Sequence, residues 1–415
     1  MSPEGCSKSP IPVPRDFLLL IALLMALLGM AVDLPLPAFP FIREAYGLPE
    51  DSTLVGQSIT YFFLGMALPQ AAYGPISDRF GRRPVLFFGL AVYVFSSVAA
   101  ALSPNLSLLL ASRFLWGVGA AASRVVVVAL VRDCYSGAQM ARFMSLVFAL
   151  FVMVPVFAPS LGSLLMMVAP WPVVYWFSTA FALLIAVWVY FRLPETLPPQ
   201  RRLPLRLGPV TRAVGRVLTT RVTALNTLAS TLLLTSFTSY IASSELIVSE
   251  VFDRKDQFPI IFGLGASAAG VGSLLNGRLV TRLGLGAVLK GGLVWYLSCA
   301  GLLLATALWG NGRPSFWVWY PLLGGVLLGN MLLFPNLNTI ALGPLGEIAG
   351  TASSVTGALS TALSAALAAV VDSIMEGSVV PLSAAFFGGG LLAAGLVVLS
   401  RAQSVLDSAE EAQVE

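Results

Sequence analysis

Histidine is absent from the 415-residue chain, and that gap removes several chemistries at once. Without imidazole there is no Ser–His triad, no histidine proton relay and no His-liganded metal. Cysteine is nearly absent as well. Cys6, Cys134 and Cys299 are scattered, odd in number and free of any CxxC pair, so neither a disulfide framework nor a zinc site is supported. Charge is scarce: Asp, Glu, Lys and Arg make up 11% of residues, against about 25% in soluble domains. No Walker loop, GxSxG elbow or HExxH helix occurs. The glycine-rich run FGLGASAAGVGSLLNG follows no strand and lies within an apolar segment, so it reads as helix packing rather than a dinucleotide loop. The expectation is a protein that is not an enzyme and carries no metal or cofactor.

What the chain has in excess is apolar length. Hydrophobic residues make up 57% of it and the mean hydropathy is +0.86. A membrane span needs about 20 mainly apolar residues. Twelve such runs are legible, at 17–39, 54–73, 85–102, 107–130, 143–168, 173–191, 222–246, 258–277, 287–307, 317–340, 352–373 and 381–400. The first run is longer than a signal-peptide core and lacks a small-x-small cleavage site, so it reads as a retained span. The predicted class is an all-α membrane protein of twelve transmembrane helices.

One interior connection is long. It runs from Arg192 to Arg221, with five prolines and seven arginines, and it divides a six-span half (1–191) from a second six-span half with a short tail (222–415). The net charge of +4 is explained by loop topology rather than by nucleic acid. With the N-terminus inside, inside segments hold 18 of the 24 basic residues and outside loops hold four (Arg43, Arg254, Lys255 and Arg313). Arg113 and Arg124 fall inside span 4. This bias predicts that both termini are cytoplasmic. The halves also echo each other. GPISDRFGRRPVL follows span 2 and GRLVTRLGLGAVL follows span 8, with Gly74 and Gly81 matching Gly277 and Gly284 at one spacing. Matching position and topology support a duplicated six-helix unit, hence two pseudo-symmetric bundles.

The first of those loops sets Gly74, Asp78, Arg79, Gly81, Arg82 and Arg83 close together. Glycines permit a tight turn, and Asp78 can cap a helix or pair with an arginine. Such a loop can latch one half to the other, or it can be a plain basic inside loop. GPISDRFGRRPVL resembles the signature loop of the major facilitator superfamily. RFLWGVGA, from Arg113, resembles that superfamily's helix-4 motif, with Trp116 in place of the usual Gln. VPVFAPSLGSLL, with Pro155, Pro159 and Gly162, resembles the helix-5 motif of drug/proton antiporters. AVDLPLPAFP, VRDCYSGAQMAR (which contains Asp133) and PLGEIAGTASSV resemble the Bcr/CflA drug-resistance subgroup.

Asp33 is the most telling single residue. An unpaired acid inside a span costs on the order of 3 kcal/mol on insertion scales. It must face a cavity, pair with a cation, take up a proton, or snorkel to the outer headgroups. Arg113 lies at a similar depth in span 4 and is the expected partner, in a proton-coupling pair or a purely structural one. Arg124 is eleven residues further along, on the same side of the helix. Either it faces the cavity and favours an anionic cargo, or it snorkels to the inner headgroups. Glu245 is a second titrating group at the cavity mouth or an interfacial loop residue. Tyr61, Trp116 and Phe237 line a cavity or serve packing.

The resemblance implies a proton-coupled multidrug or antibiotic exporter in a bacterial inner membrane, working by alternating access on a small lipophilic substrate. Asp33 and Arg113 would carry the coupling, the loop residues with Asp133 a conformational latch, and Pro155, Pro159 and Gly162 the packing of the halves. The proton gradient would be the energy source and a monomer the working unit. The alternative is an exporter of an endogenous organic anion such as a siderophore or metabolite, favoured by Arg113 with Arg124.

Overall fold

Helices follow the apolar runs and overshoot most of them. A computed structural model describes residues 16–414 except 136, 203–207 and 376. The first half comprises α1 (Phe17–Asp33), α2 (Phe39–Ala45), α3 (Gln57–Phe80), α4 (Arg82–Ala101), α5 (Leu106–Cys134), α6 (Gly137–Met166) and α7 (Val173–Arg192). After the linker helix α8 (Gly208–Thr219) come α9 (Arg221–Leu246), α10 (Phe258–Leu283), α11 (Leu285–Trp309), α12 (Phe316–Leu342), α13 (Ala349–Ser373) and α14 (Val380–Val414). Counting α1 and α2 as one interrupted span, twelve helical segments cross the bundle, six before α8 and six after. Among the described residues there is no strand. Ten of the twelve segments are apolar and long enough to cross a membrane by composition alone. The others are α3, which carries Gln70, Asp78 and Arg79, and α6, whose apolar stretch is Met153–Met166.

The interruption after Asp33 follows from proline chemistry. Pro35 has no N–H to give the carbonyl of Ala31 four residues back. α1 therefore ends at Asp33, a 3₁₀ turn spans Leu36–Ala38, and α2 resumes at Phe39. α6 crosses this break at Gly162, where a Cβ would collide with the carbonyl of Leu34. Glycines serve the same purpose along α5. A Cβ on Gly117 would strike the carbonyl of Phe62 on α3, and one on Gly119 would strike Tyr93 on α4. Lipid offers helices no hydrophobic drive toward each other, so close backbone approach is the main source of contact energy.

The duplicated loops are duplicated in conformation. Gly81 ends α3 at φ 104°, ψ 159°, and Gly284 ends α10 at φ 81°, ψ 156°. Each glycine starts the next helix directly. The connection expected as a loop over 192–221 contains a helix instead. In α8, Val210, Ala213, Val214 and Val217 recur at helical spacing, and this stripe docks on Leu345, Ala352 and Val355 of the second half. The prolines and arginines of the segment lie around that stripe and mask it in the sequence.

Candidate functional site

Between the halves runs a cavity of about 650 Å³. Met25 of α1, Phe63, Met66 and Gln70 of α3, and Val125 and Val128 of α5 supply one wall. The facing wall has Leu234 and Thr238 of α9, Phe334 and Asn338 of α12, and the hydroxyls of Ser353, Ser360, Thr361 and Ser364 on α13. Asp78, Arg82, Arg132 and Gly350 frame its mouth, at the end where α1 begins. Arg124 lies a little over two turns deeper than Arg132, about 12 Å at 1.5 Å per residue. Of the residues expected in the cavity, Arg124 is the one that lines it.

The opposite end is shut. Arg43 Nη2 donates to Glu245 Oε2 at 2.7 Å across the seam between the halves, with both side chains at most 5% exposed. Ser249 Oγ donates to the other carboxylate oxygen at 2.9 Å. Gly56 lies so near the carbonyl of Ala242 that a Cβ would sit 2.7 Å from it. Beside this seal Asp372 accepts from Ser239 Oγ at 2.5 Å and Ser243 Oγ at 2.9 Å, while its Oδ2 is buried without a partner. Glu245 is thus a seal residue and not a cavity residue. Its partner Arg43, read in the sequence as an outside-loop cation, is buried.

Asp33 and Arg113 are neighbours but do not form an ion pair. Arg113 Nη1 donates to the carbonyl of Ala31 at 2.5 Å, the acceptor that Pro35 leaves free, and Nε donates to Ser58 O at 3.3 Å. Its Nη2 is buried and unpartnered. The rings of Phe62 and Trp116 flank the guanidinium at 5.1 and 5.0 Å. Asp33 is 3% exposed and has no hydrogen-bond or ion-pair partner among the described residues. The Arg113 charge and the Tyr240 phenol of the second half are its electrostatic neighbours. The expected direct pair is corrected to a through-space one, because the free Ala31 carbonyl captures the guanidinium first.

The aromatic expectations are corrected too. Trp116 is fully buried and packs edge-on against Tyr93 and Phe62, with Tyr175 beside it, so it walls Arg113 rather than the cavity. Tyr61 is 38% exposed; it stands about 200° around α3 from cavity-lining Phe63 and so faces outward. Phe237 sits between cavity-lining Leu234 and Thr238 but packs against the core.

The loop cluster is compact and lies wholly on the first half and its exit. Arg82 donates to Asp78 Oδ1 at 2.5 Å, Asp133 Oδ2 at 3.0 Å and Ser77 Oγ at 2.7 Å. Glu195 was not foreseen. Its two carboxylate oxygens accept the backbone N–H groups of Arg82 at 3.0 Å and Arg83 at 3.1 Å, satisfying the start of α4. Arg83 donates to Tyr190 O at 2.5 Å and stacks over Phe87 and Tyr190. Arg79 is exposed, and Gly74 borders the cavity. The cluster braces α3, α4, α5 and the linker. Among the described residues it holds none of the second half, because the cavity mouth separates the halves at this end. On α6, Pro155 and Pro159 bracket Val156, whose carbonyl faces Gly263 of α10 across the seam.

The sequence description of the Major Facilitator Superfamily matches residues 21–369. The chain belongs to that superfamily. Among curated relatives, it is 30% identical to the MFS-type transporter YdgK of Bacillus subtilis, over 91% of this chain and 94% of that one. It is 27% identical to a bicyclomycin resistance protein homolog of Haemophilus influenzae, over 88% and 91%. It is 26% identical to the multidrug resistance protein MdtL of Vibrio parahaemolyticus, over 82% and 84%. The fold is shared with the human organic anion transporter MFSD10 (TM-score 0.69, 21% identity, 93% and 99% covered). It is shared also with the Escherichia coli xylose transporter XylE in a partially occluded inward-open conformation (TM-score 0.71, 13% identity, 91% and 95% covered). This superfamily member is a multi-pass membrane transporter.

Proposed function

We propose that this chain is a proton-coupled exporter of drug-like compounds that works by alternating access. The observation that carries the coupling is Asp33, a buried acid with no hydrogen-bond or ion-pair partner among the described residues, beside a cation whose Nη1 and Nε donate to backbone while its Nη2 is unpartnered. Such a carboxyl accepts or loses a proton without breaking a hydrogen bond. Its charge changes the attraction to Arg113 inside a low-dielectric wall. Asp33 stands where α1 breaks, α6 crosses and Tyr240 of the second half approaches. A charge change there acts on the contact between the halves. The bicyclomycin and multidrug resistance proteins among the relatives supply the drug-like cargo class.

The cycle runs between the arrangement described, open at one end and sealed by Arg43 and Glu245 at the other, and its counterpart. The 18-to-4 distribution of basic residues favours a cytoplasmic location for the open end and both termini. In a bacterial inner membrane the proton gradient then drives export, with a monomer as the unit and no cofactor. The test is drug efflux from proteoliposomes under an imposed pH gradient, wild type against Asp33→Asn. The gradient is expected to accelerate wild-type export and leave the variant at its ungraded rate. Equal acceleration of both removes Asp33 from the coupling.

A further inference from the structure

Arg124 faces the cavity with no carboxylate to meet it. It makes no hydrogen bond, ion pair or ring contact among the described residues. Among the described residues the one carboxylate on the cavity wall is Asp78, which is at the mouth and bonded to Arg82 at 2.5 Å. Arg132, a second lining cation with no carboxylate partner among the described residues, is exposed at that mouth. The described lining is therefore positive along its length, most deeply at Arg124. An arginine at span depth without a counter-charge costs several kcal/mol. Nothing in the packing returns that cost, unlike Arg113, which is lodged in backbone carbonyls and aromatic rings.

The walls around Arg124 differ in kind. Val125, Val128, Met66 and Phe63 are apolar, whereas α13 turns a row of serine and threonine hydroxyls inward. Gln70 adds a buried Oε1 with no partner. We propose that the cavity takes an amphiphilic organic anion, its single acidic group against Arg124, its apolar body on α3 and α5, and its hydrogen-bonding groups on α13. This names the cargo class within the exporter reading above, on which it rests. A volume of about 650 Å³ suits a drug-sized molecule. Guanidinium matches a carboxylate, sulfonate or phosphate in two-point geometry. A lipid headgroup offers the same chemistry, so the test must separate a soluble anion from a lipid.

The experiment is equilibrium binding to the full chain in phosphatidylcholine nanodiscs, with the carboxylate fusidate and its uncharged methyl ester as a matched pair. Wild type is expected to prefer the carboxylate roughly tenfold or more, the value of one charge-assisted hydrogen bond. Arg124→Gln is expected to reduce that ratio to near one, and Arg124→Lys to keep part of it. Thermal unfolding of each variant confirms that the fold is retained. A ratio near one in wild type, or one unchanged by Arg124→Gln, overturns the proposal. So does a site that ignores fusidate yet binds added phosphatidylglycerol in an Arg124-dependent way, which makes the occupant a lipid. Failure of the exporter reading looks different: no pH-driven movement of either probe in proteoliposomes, whatever the binding ratio.

Discussion

Arg113 is bound by the carbonyl of Ala31 at 2.5 Å, and the proline at position 35 is what leaves that carbonyl free. A helix break in α1 thus fixes a cation in α5 and leaves the adjacent Asp33 without a partner. The arrangement separates two jobs that a direct ion pair would merge. Arg113 is held whether or not Asp33 is charged.

Arg113→Lys tests that separation. A lysine donates to one carbonyl but cannot reach Ala31 and Ser58 together or lie flat between Phe62 and Trp116. Expression and folding are expected to survive, with a loss of about 1–3 kcal/mol from the broken charged hydrogen bond. Coupled efflux should fall well below wild type, while exchange without a gradient persists. Wild-type coupling in this variant would show that any cation near Asp33 suffices.

The Arg43–Glu245 pair predicts a gate. Removing one partner of a buried pair costs roughly 3–5 kcal/mol, because the other charge is stranded. That cost falls on the sealed arrangement, where both groups are buried. Glu245→Gln should therefore populate the arrangement open at this end. The readout is labelling of a cysteine placed at Ala242, which faces Gly56 in the seam, by a membrane-impermeant thiol reagent. Labelling is expected to rise several-fold, and the swap of Arg43→Glu with Glu245→Arg to restore much of the protection. No change in labelling means that the seal rests on packing alone.

How much of this was legible beforehand depended on the kind of signal. Apolar runs and basic-loop bias announce the twelve crossing segments, since lipid demands them wherever they occur. Gly81 and Gly284 were legible as a repeat, and their shared backbone conformation is the reason for it. Helical spacing set Arg124 on the side of its helix that carries Arg113 and left open whether it met the cavity or the inner headgroups. Arg43–Glu245 was not legible, because its members are 202 positions apart and each reads alone as a loop charge. Trp116 and Tyr61 stayed open between cavity and packing because an aromatic in a span carries no mark of whether it faces cavity, core or lipid. Glu195 lay in a proline- and arginine-rich segment where the charges looked merely solvated.

Glu195 gives the next expectation. Its carboxylate satisfies two of the orphan N–H groups that begin α4. Glu195→Ala should lower thermal stability by about 1–2 kcal/mol, in the range of a lost helix cap. Glu195→Gln, which keeps an acceptor but loses the charge, should lose less. A variant as stable as wild type would show that water replaces the cap without cost.

The duplicated glycines make a paired experiment. Both have positive φ with ψ near 160°, a region that costs an alanine roughly 1–3 kcal/mol. Gly284 has nothing within 4 Å of where a Cβ would stand, so Gly284→Ala should show that backbone cost alone. At Gly81 the same Cβ would lie 2.5 Å from Glu195 Oε2 and 3.2 Å from Arg202 Nη2. Gly81→Ala should therefore lower the unfolding temperature more, by displacing the carboxylate that caps α4. The double variant Gly81→Ala with Glu195→Ala separates the two effects: its loss should be less than the sum of the singles, because the displaced cap is already gone. Strict additivity would mean that the glycine and the carboxylate act independently.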